Sequence, residues 1–229
     1  MRSPPAPPDT LLFDLDGTIT DTDELHFKAT RQALSGYELN IDRRTYMDVV
    51  YGAPNEAIAT HFFPDGNAAI RHAYIENKEQ AYRELITSLD PTAGLMNVFA
   101  WADEHAAGLA LVSNAPRENM ERVLGALGLQ ERFDTIVLAE DLPVGKPDPL
   151  PYVTAMENLG TTPDRALGFE DSEPGLRALQ GAGVFAIGLA SALSVDVLSG
   201  FGADLAITDF TAPALWEVLQ PRCGEEPQA

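Results

Sequence analysis

The sequence predicts an α/β fold: a doubly wound, mainly parallel sheet with a helical domain inserted into it. Three observations carry this. A short apolar run, Leu11-Leu12-Phe13, has no helical period and ends abruptly in Asp14-Leu15-Asp16-Gly17-Thr18, as a buried strand with polar groups at its C-terminal end would. From about residue 91 onward, apolar runs of strand length alternate with helical patterns, the signature of a parallel sheet wound with helices. Between these two parts, residues 22 to 90 hold almost nothing that reads as strand.

The elements follow in order. After the opening strand, Thr22 is placed to cap a helix whose first turn carries Asp23 and Glu24, where the helix dipole favours acids. Leu25, Ala29, Ala33 and Leu34 form one apolar stripe; Ile70, Tyr74, Ala81, Leu85 and Ile86 form another, in a segment starting near Asn67. Breaks at Ser35-Gly36, Gly52-Ala53-Pro54 and Phe63-Pro64-Asp65-Gly66 divide the insert into about four helices. Later strands are expected at Leu109–Val112, Thr135–Leu138, Ala166–Phe169, Val184–Ile187 and Leu205–Ile207, with helices near 95–106, 117–127, 149–159, 173–181 and 213–219. The expected organisation is a leader at 1–8, a catalytic core at 9–21 and 91–220, an inserted helical domain at 22–90, and a tail at 221–229. The Pro-rich leader and the Pro/Glu-rich tail are both expected to be flexible. An insert leaving from the end of the first strand would cover the crevice beyond the strands' carboxyl ends, where such sheets bind ligands.

Composition narrows the function. With 15 basic against 35 acidic residues the formal net charge is −20, which argues against a nucleic-acid partner because phosphate backbones need a basic footprint. No apolar run approaches the ~20 residues of a membrane span. The single cysteine, Cys223, excludes a disulfide framework and a thiolate metal cluster, and points to a reducing, cytoplasmic setting. No long exposed apolar helix demands a partner, so a monomer or weak homo-oligomer is expected.

Polar residues collect after the strands. The first is followed by Asp14 and Asp16, which strand geometry turns to one side and which repel unless a cation or proton intervenes. After 109–112 come Ser113-Asn114; after 135–138, a loop with Lys146 in Gly-Lys-Pro-Asp-Pro; after 166–169, Glu170-Asp171. Singly, Ser113 or Asn114 reads as a helix cap, Lys146 as a solvated lysine, and Glu170-Asp171 as a polar lead into a helix. Four such strand ends in this order converge on one crevice. The combination resembles the haloacid dehalogenase superfamily of phosphatases and phosphotransferases, over about Leu11 to Leu219. The helical insert after the first motif is similar to that superfamily's C1 cap, in the branch of phosphoglycolate phosphatase and β-phosphoglucomutase.

The resemblance implies the chemistry. Asp14 would be the nucleophile, forming an aspartyl-phosphate, and Asp16 the general acid and base. Lys146 would neutralise Asp14 and the transferring phosphoryl group, while Ser113 and Asn114 would donate to phosphoryl oxygens. Mg²⁺ would be held by Asp14 and Asp171, by the Asp16 backbone carbonyl, and by Glu170 directly or through water. Thr22, His26 and Lys78 match cap positions that couple closure to Asp16 or meet substrate. The partner would be a small phosphorylated metabolite, of sugar phosphate or phosphoglycolate type. A phosphosugar mutase is the rival reading. The stretch Tyr51–Glu56 has no basic residue, where the mutase grips a second phosphate with arginine. Arg43, Arg44, Arg71, Lys78 and Arg83 are the insert's cationic candidates. A dehalogenase is disfavoured by Asp16 and Glu170-Asp171, and a non-catalytic binding module by the intact chemical positions.

Overall fold

Strand β1 (Thr10–Phe13) lies at the centre of a six-stranded sheet, and every residue in it is buried. The structure is a computed structural model describing residues 8–220; apart from Pro8, the expected leader lies outside the described residues, as do the expected tail and Cys223. The other strands are β2 (Gly108–Ser113), β3 (Thr135–Leu138), β4 (Ala166–Glu170), β5 (Phe185–Leu189) and β6 (Leu205–Ile207). Their order is β3-β2-β1-β4-β5-β6, and every pairing is parallel. The chain winds outward on one side of β1, then returns to β4 on the other side. That makes the carboxyl end of β1 the switch point, where a crevice opens.

The insert between β1 and β2 contains α1 (Asp23–Ser35), α2 (Arg43–Val49), α3 (Asn55–Phe62) and α4 (Ala68–Leu85). The four expected helices are thus present. Leu34, Ile41, Tyr46, Val50, Ile58 and Tyr74 form an apolar cluster of their own among them. The ends of α1 and α4 nearest the sheet instead join the main core through Ala29, Ala81 and Tyr82. The two connecting segments of chain, one leaving β1 and one leaving α4, are stitched together beyond the carboxyl end of β1. Thr20 Oγ1 donates to the Asp90 carbonyl (2.8 Å), and Thr92 Oγ1 to that of Thr18 (2.7 Å).

Helices α5 (Leu95–His105), α6 (Arg117–Leu127), α7 (Leu150–Leu159), α8 (Glu173–Gly181), α9 (Val195–Gly200) and α10 (Pro213–Leu219) complete the order. Alternation along β1 divides the core between two faces. Leu11 and Phe13 pack with Val98, Phe99, Val123 and Leu215 of α5, α6 and α10. Leu12 packs with Tyr152, Ala155, Leu176 and Leu198 of α7, α8 and α9. Phe13 stacks on Phe169 of β4 at 4.7 Å between centroids, directly beneath the strand ends. Each such fully buried Leu or Phe contributes roughly 1.5–3 kcal/mol, so the floor under the crevice is rigid.

Helix α9 was not expected from the sequence. Its six residues are too few to display a helical period; the signal for it is Ser194, whose side chain accepts from Val197 N–H as a cap. The fifth strand also runs to Leu189 rather than stopping at Ile187. Thr22 stands at the N-cap position but caps nothing with its side chain. Its hydroxyl is used at the site.

Candidate active site

Register brings the strand ends level. Phe13 pairs with Leu111 of β2 and Phe169 of β4, so Asp14, Val112 and Glu170 stand side by side. Lys146, from the loop after β3, lies across all three. Its Nζ donates to Asp14 Oδ1 (2.6 Å), Glu170 Oε1 (2.6 Å) and the Val112 carbonyl (2.7 Å), which uses every proton it has. Burial works against its charge, but Asp14 and Glu170 outweigh that and hold its pKa above the usual lysine value. A solvated surface lysine is therefore ruled out: Lys146 is buried.

Two close approaches require glycine. Gly17 has φ +78°, and a Cβ there would sit 2.0 Å from Asp171 Oδ2; a Cβ on Gly175 would lie 1.8 Å from the Glu170 carboxyl carbon. No side chain fits at either place. The acids behind them are thus packed against bare backbone.

Asp14, Asp16, Ser113, Asn114, Lys146 and Asp171 line one cavity of about 190 Å³, facing Thr22, His26 and Lys78 from the insert. Glu170 lies behind Lys146, fully buried. It accepts from Tyr152 (2.6 Å) and from Ser172 Oγ (3.2 Å) as well as from Lys146. The Asn114 side chain faces the Lys146 backbone, exchanging two 3.0 Å bonds with it. Its amide thus fixes the lysine loop, and Ser113 Oγ accepts from the Ala115 N–H at 3.0 Å while keeping its own proton to donate.

Asp16 is gripped by the insert. Thr22 Oγ1 (2.6 Å) and Tyr82 OH (2.8 Å) donate to its Oδ1, and His26 Nε2 lies 3.4 Å from the same oxygen, its ring stacked on Tyr82 at 4.0 Å. Burial pushes the Asp16 carboxyl up, but these hydrogen bonds and the imidazole prevail and hold it at about 2. Asp14 goes the other way, to about 8, because burial and the neighbouring Glu170 outweigh Lys146. Asp171 is also raised well above the carboxylate range, by burial, then Asp14 and Glu170.

These shifts test the fit to a cation. Asp14, Glu170 and Asp171 each offer a carboxylate oxygen, all within 4.8 Å of one another. Fully ionised, these three carboxylates would set three negative charges against the one positive charge of Lys146, an excess of two that raises the pKa of Asp14 and Asp171. An all-oxygen donor set with that excess suits a hard divalent ion such as Mg²⁺.

Sequence reasoning missed several contributors. Tyr51, on the loop between α2 and α3, donates to Asp171 Oδ2 at 2.6 Å. Glu79, buried on α4, pairs with Lys78 at 2.7 Å and accepts from Asn55 Nδ2 at 2.8 Å and from Asn119 of α6. Burial opposes its ionisation, yet Lys78 and the other donors bring its pKa below the usual glutamate value. The signal was present: Lys78 is four residues from both Tyr74 and Tyr82, which are fully buried, so the helical period turns it inward. The remaining cationic candidates do not line the cavity. Arg43 binds Asp23 and Arg44 lies near Asp48. Arg71 donates to the Phe63 and Pro64 carbonyls, and Arg83 to Asn119.

The haloacid dehalogenase-like hydrolase family matches residues 11–189. The chain belongs to that family. It is 27% identical over 213 residues to a validoxylamine A 7′-phosphate phosphatase of Streptomyces hygroscopicus subsp. limoneus, covering 93% of this chain and 97% of the relative. A β-phosphoglucomutase of Bacillus subtilis is 29% identical over 219 residues, covering 90% and 93%. The solved structure of a CbbY mutant from Rhodobacter sphaeroides, in complex with xylulose-(1,5)bisphosphate, superposes with a TM-score of 0.78 at 26% identity, over 88% and 94% of the two chains. The expectation of a haloacid dehalogenase member with a doubly wound parallel core is met, and with it that of an enzyme of the phosphoric monoester hydrolase type. Among the described residues no helix is long and apolar enough to cross a membrane.

Proposed function

We propose that the protein is a Mg²⁺-dependent phosphatase of small phosphomonoesters, working through an aspartyl-phosphate on Asp14. The observation that carries this is the split environment of the two acids that follow β1. Asp14 is set among Lys146, Glu170 and Asp171, whereas Asp16 is held by Thr22, His26 and Tyr82 of the insert. The contacts, rather than the metal-free acidities, separate the two jobs: a divalent cation beside Asp14 would lower its raised pKa, and the negative charge of a bound ester would raise that of Asp16.

In the first half-reaction an Asp14 carboxylate oxygen attacks phosphorus, the ester P–O bond breaks, and the departing alkoxide oxygen takes a proton that Asp16 acquires when the negative charge of the bound ester raises its pKa. In the second, Asp16 as carboxylate takes a proton from water. The water oxygen attacks phosphorus and the bond to Asp14 breaks, releasing inorganic phosphate. Lys146 offsets charge on Asp14 throughout, and the Ser113 hydroxyl is free to donate to a phosphoryl oxygen. Bound at Asp14, Asp171, Glu170 and the Asp16 carbonyl, Mg²⁺ would screen the repulsion between two anions. The Lys78–Glu79 pair and the Tyr51 contact support an inward-facing lid formed by residues 22–90, stitched at Thr20 and Thr92. A small phosphorylated metabolite in the cytoplasm is the partner this reading implies.

The mutase reading requires a cation for a second phosphate at Tyr51–Glu56. There, Tyr51 is engaged with Asp171 and Asn55 with Glu79. Hydrolysis of a chromogenic phosphomonoester with added Mg²⁺, abolished by chelation and by Asp14→Asn, is the expected result. A folded wild type with no turnover, or glucose 6-phosphate accumulating from β-glucose 1-phosphate with a bisphosphate activator, would overturn it.

A further inference from the structure

Of the three acids suited to a cation, two are partnered from the core. Asp14 binds Lys146, and Glu170 accepts from Lys146, Tyr152 and Ser172. Asp171 is different. Its Oδ2 accepts from the Tyr51 hydroxyl at 2.6 Å, 120 positions away in the chain and on the insert. The second donor to that oxygen is Ser191 Oγ, at 3.4 Å. Both meet Oδ2, which leaves Oδ1 for a cation. Among the described residues, the insert's other side-chain bonds to the core end on Asp16, Asn119 and Glu118, so Tyr51 is its link to these three carboxylates.

The Tyr51 ring packs against the insert's own apolar cluster, and the turn that carries it is closed by the Ala53 N–H donating to the Val50 carbonyl at 3.0 Å. The same loop lies against the start of α8, where a Cβ on Gly52 would come 3.5 Å from Pro174 Cδ. Tyr51 is thus rooted in the lid and ends on the core. Any opening of the lid takes its hydroxyl off Asp171.

We propose that Tyr51 is a positioning residue for the cation: through Asp171 it makes the closed lid part of the metal's outer sphere, so that lid closure tightens Mg²⁺ binding and bound Mg²⁺ favours the closed lid before any substrate is present. This rests on the cation placed at Asp14 and Asp171 in the reading above. A carboxylate held at one oxygen presents the other in a fixed direction, whereas a free one must be ordered as the ion binds; outer partners of this kind are worth roughly 10–100-fold in metal affinity. The phenol is protonated at neutral pH and supplies the donor. Reciprocity gives the second half, because an ion that binds the closed lid more tightly shifts the lid toward closure by the same factor.

The test titrates Mg²⁺ calorimetrically into the full chain, chelator-treated and free of substrate. Tyr51→Phe, which keeps the ring, should weaken the Kd for Mg²⁺ by about 10–100-fold. A Tyr51 that only packs the lid would instead lower the melting temperature and leave the Kd unchanged. Backbone hydrogen exchange at residues 50–54 reads the lid: saturating Mg²⁺ should slow it in wild type and in Ser191→Ala, and leave it unchanged in Tyr51→Phe. An equal or tighter Kd in folded Tyr51→Phe overturns the inference. So does a wild type that binds Mg²⁺ with no slowing at 50–54, whether or not the variant folds. In both cases the cation still binds, so the phosphatase reading stands; a wild type that takes up no Mg²⁺ sinks the metal site and this inference with it.

Discussion

Asp14, Lys146 and Asp171 reach the cavity from chain segments that leave the sheet, with Glu170 of β4 behind Lys146, whereas Thr22, Tyr51, Lys78 and Glu79 reach it from the insert, with Tyr82 bound to Asp16. On the sheet side, position is set by register and by a stacked aromatic floor, and the groups are buried at high electrostatic cost. On the insert side, position is set by helix packing, and nearly every charge is already paired. In the proposed reading the sheet side carries the chemistry and the insert side faces the rest of the substrate. Rigid, unfavourably charged groups are what a reaction centre needs, while a wall of paired acids and amides can change its contacts without altering the bond-breaking step.

The comparison is broken most directly by Asp14→Asn. Turnover of any phosphomonoester should fall by at least ~10³-fold, as for loss of a covalent nucleophile, while folding is kept. In chelator the variant should be no less stable than wild type, because Asp14 is forced up to about 8 by burial and by Glu170. A carboxyl whose folded pKa is raised contributes stability below its unfolded value and loses it as pH rises through the folded one. The melting difference between variant and wild type should therefore grow in the variant's favour between pH 4 and 8. A variant that melts lower across that range would contradict the strained state assigned to Asp14.

Next comes Lys146→Ala. It leaves Asp14 and Glu170 buried without their cation, a loss of roughly 3–5 kcal/mol, alongside a fall in turnover of ~10²–10³-fold when a preorganised charge is removed. Chemical denaturation and steady-state rates read the two effects. Added Mg²⁺ should recover part of the stability, and at 100 times its Kd by about 2.7 kcal/mol in wild type. In Asp171→Asn that gain should shrink.

Residue by residue, these walls were unequally legible in the sequence. Asp14, Asp16, Glu170 and Asp171 follow apolar runs too short to be helices, so their place at strand ends was legible, and the parallel pairing of β1 with β4 brings those two ends together. Lys146 was legible only through its motif, since a lysine in a Gly/Pro loop is ordinarily solvated and its burial comes from β2 and β4, distant in sequence. Tyr51 carried no signal at all, because an irregular loop has no period to orient it. Tyr152 lies on the buried face of α7, but only the register of β4 reveals that its hydroxyl meets Glu170. Glu79 is the instructive miss. Next to Lys78 it reads as part of a charged surface, and only the flanking Tyr74 and Tyr82 show that this stretch of α4 points inward.

The smallest expected effect sharpens the comparison where the two walls meet. Tyr82→Phe removes one of the donors that hold Asp16 at about 2, and its loss should raise that carboxyl. Asp16 must be ionised to activate water in the second half-reaction, so a raised pKa moves the acid limb of the kcat profile to higher pH. One hydrogen bond to a charged group is worth about 1.5–3 kcal/mol, but Thr22 and His26 stay on the same oxygen, and the loss at neutral pH should stay within about tenfold. The ring is kept, and with it the stack on His26, so lost packing does not account for the shift. A profile that scales down without moving would mean that Tyr82 only positions His26, and that the insert does not tune the acid on the sheet. A profile that moves ties the lid to the proton transfer, because any opening that withdraws Tyr82 and Thr22 would also return Asp16 toward an ordinary carboxyl.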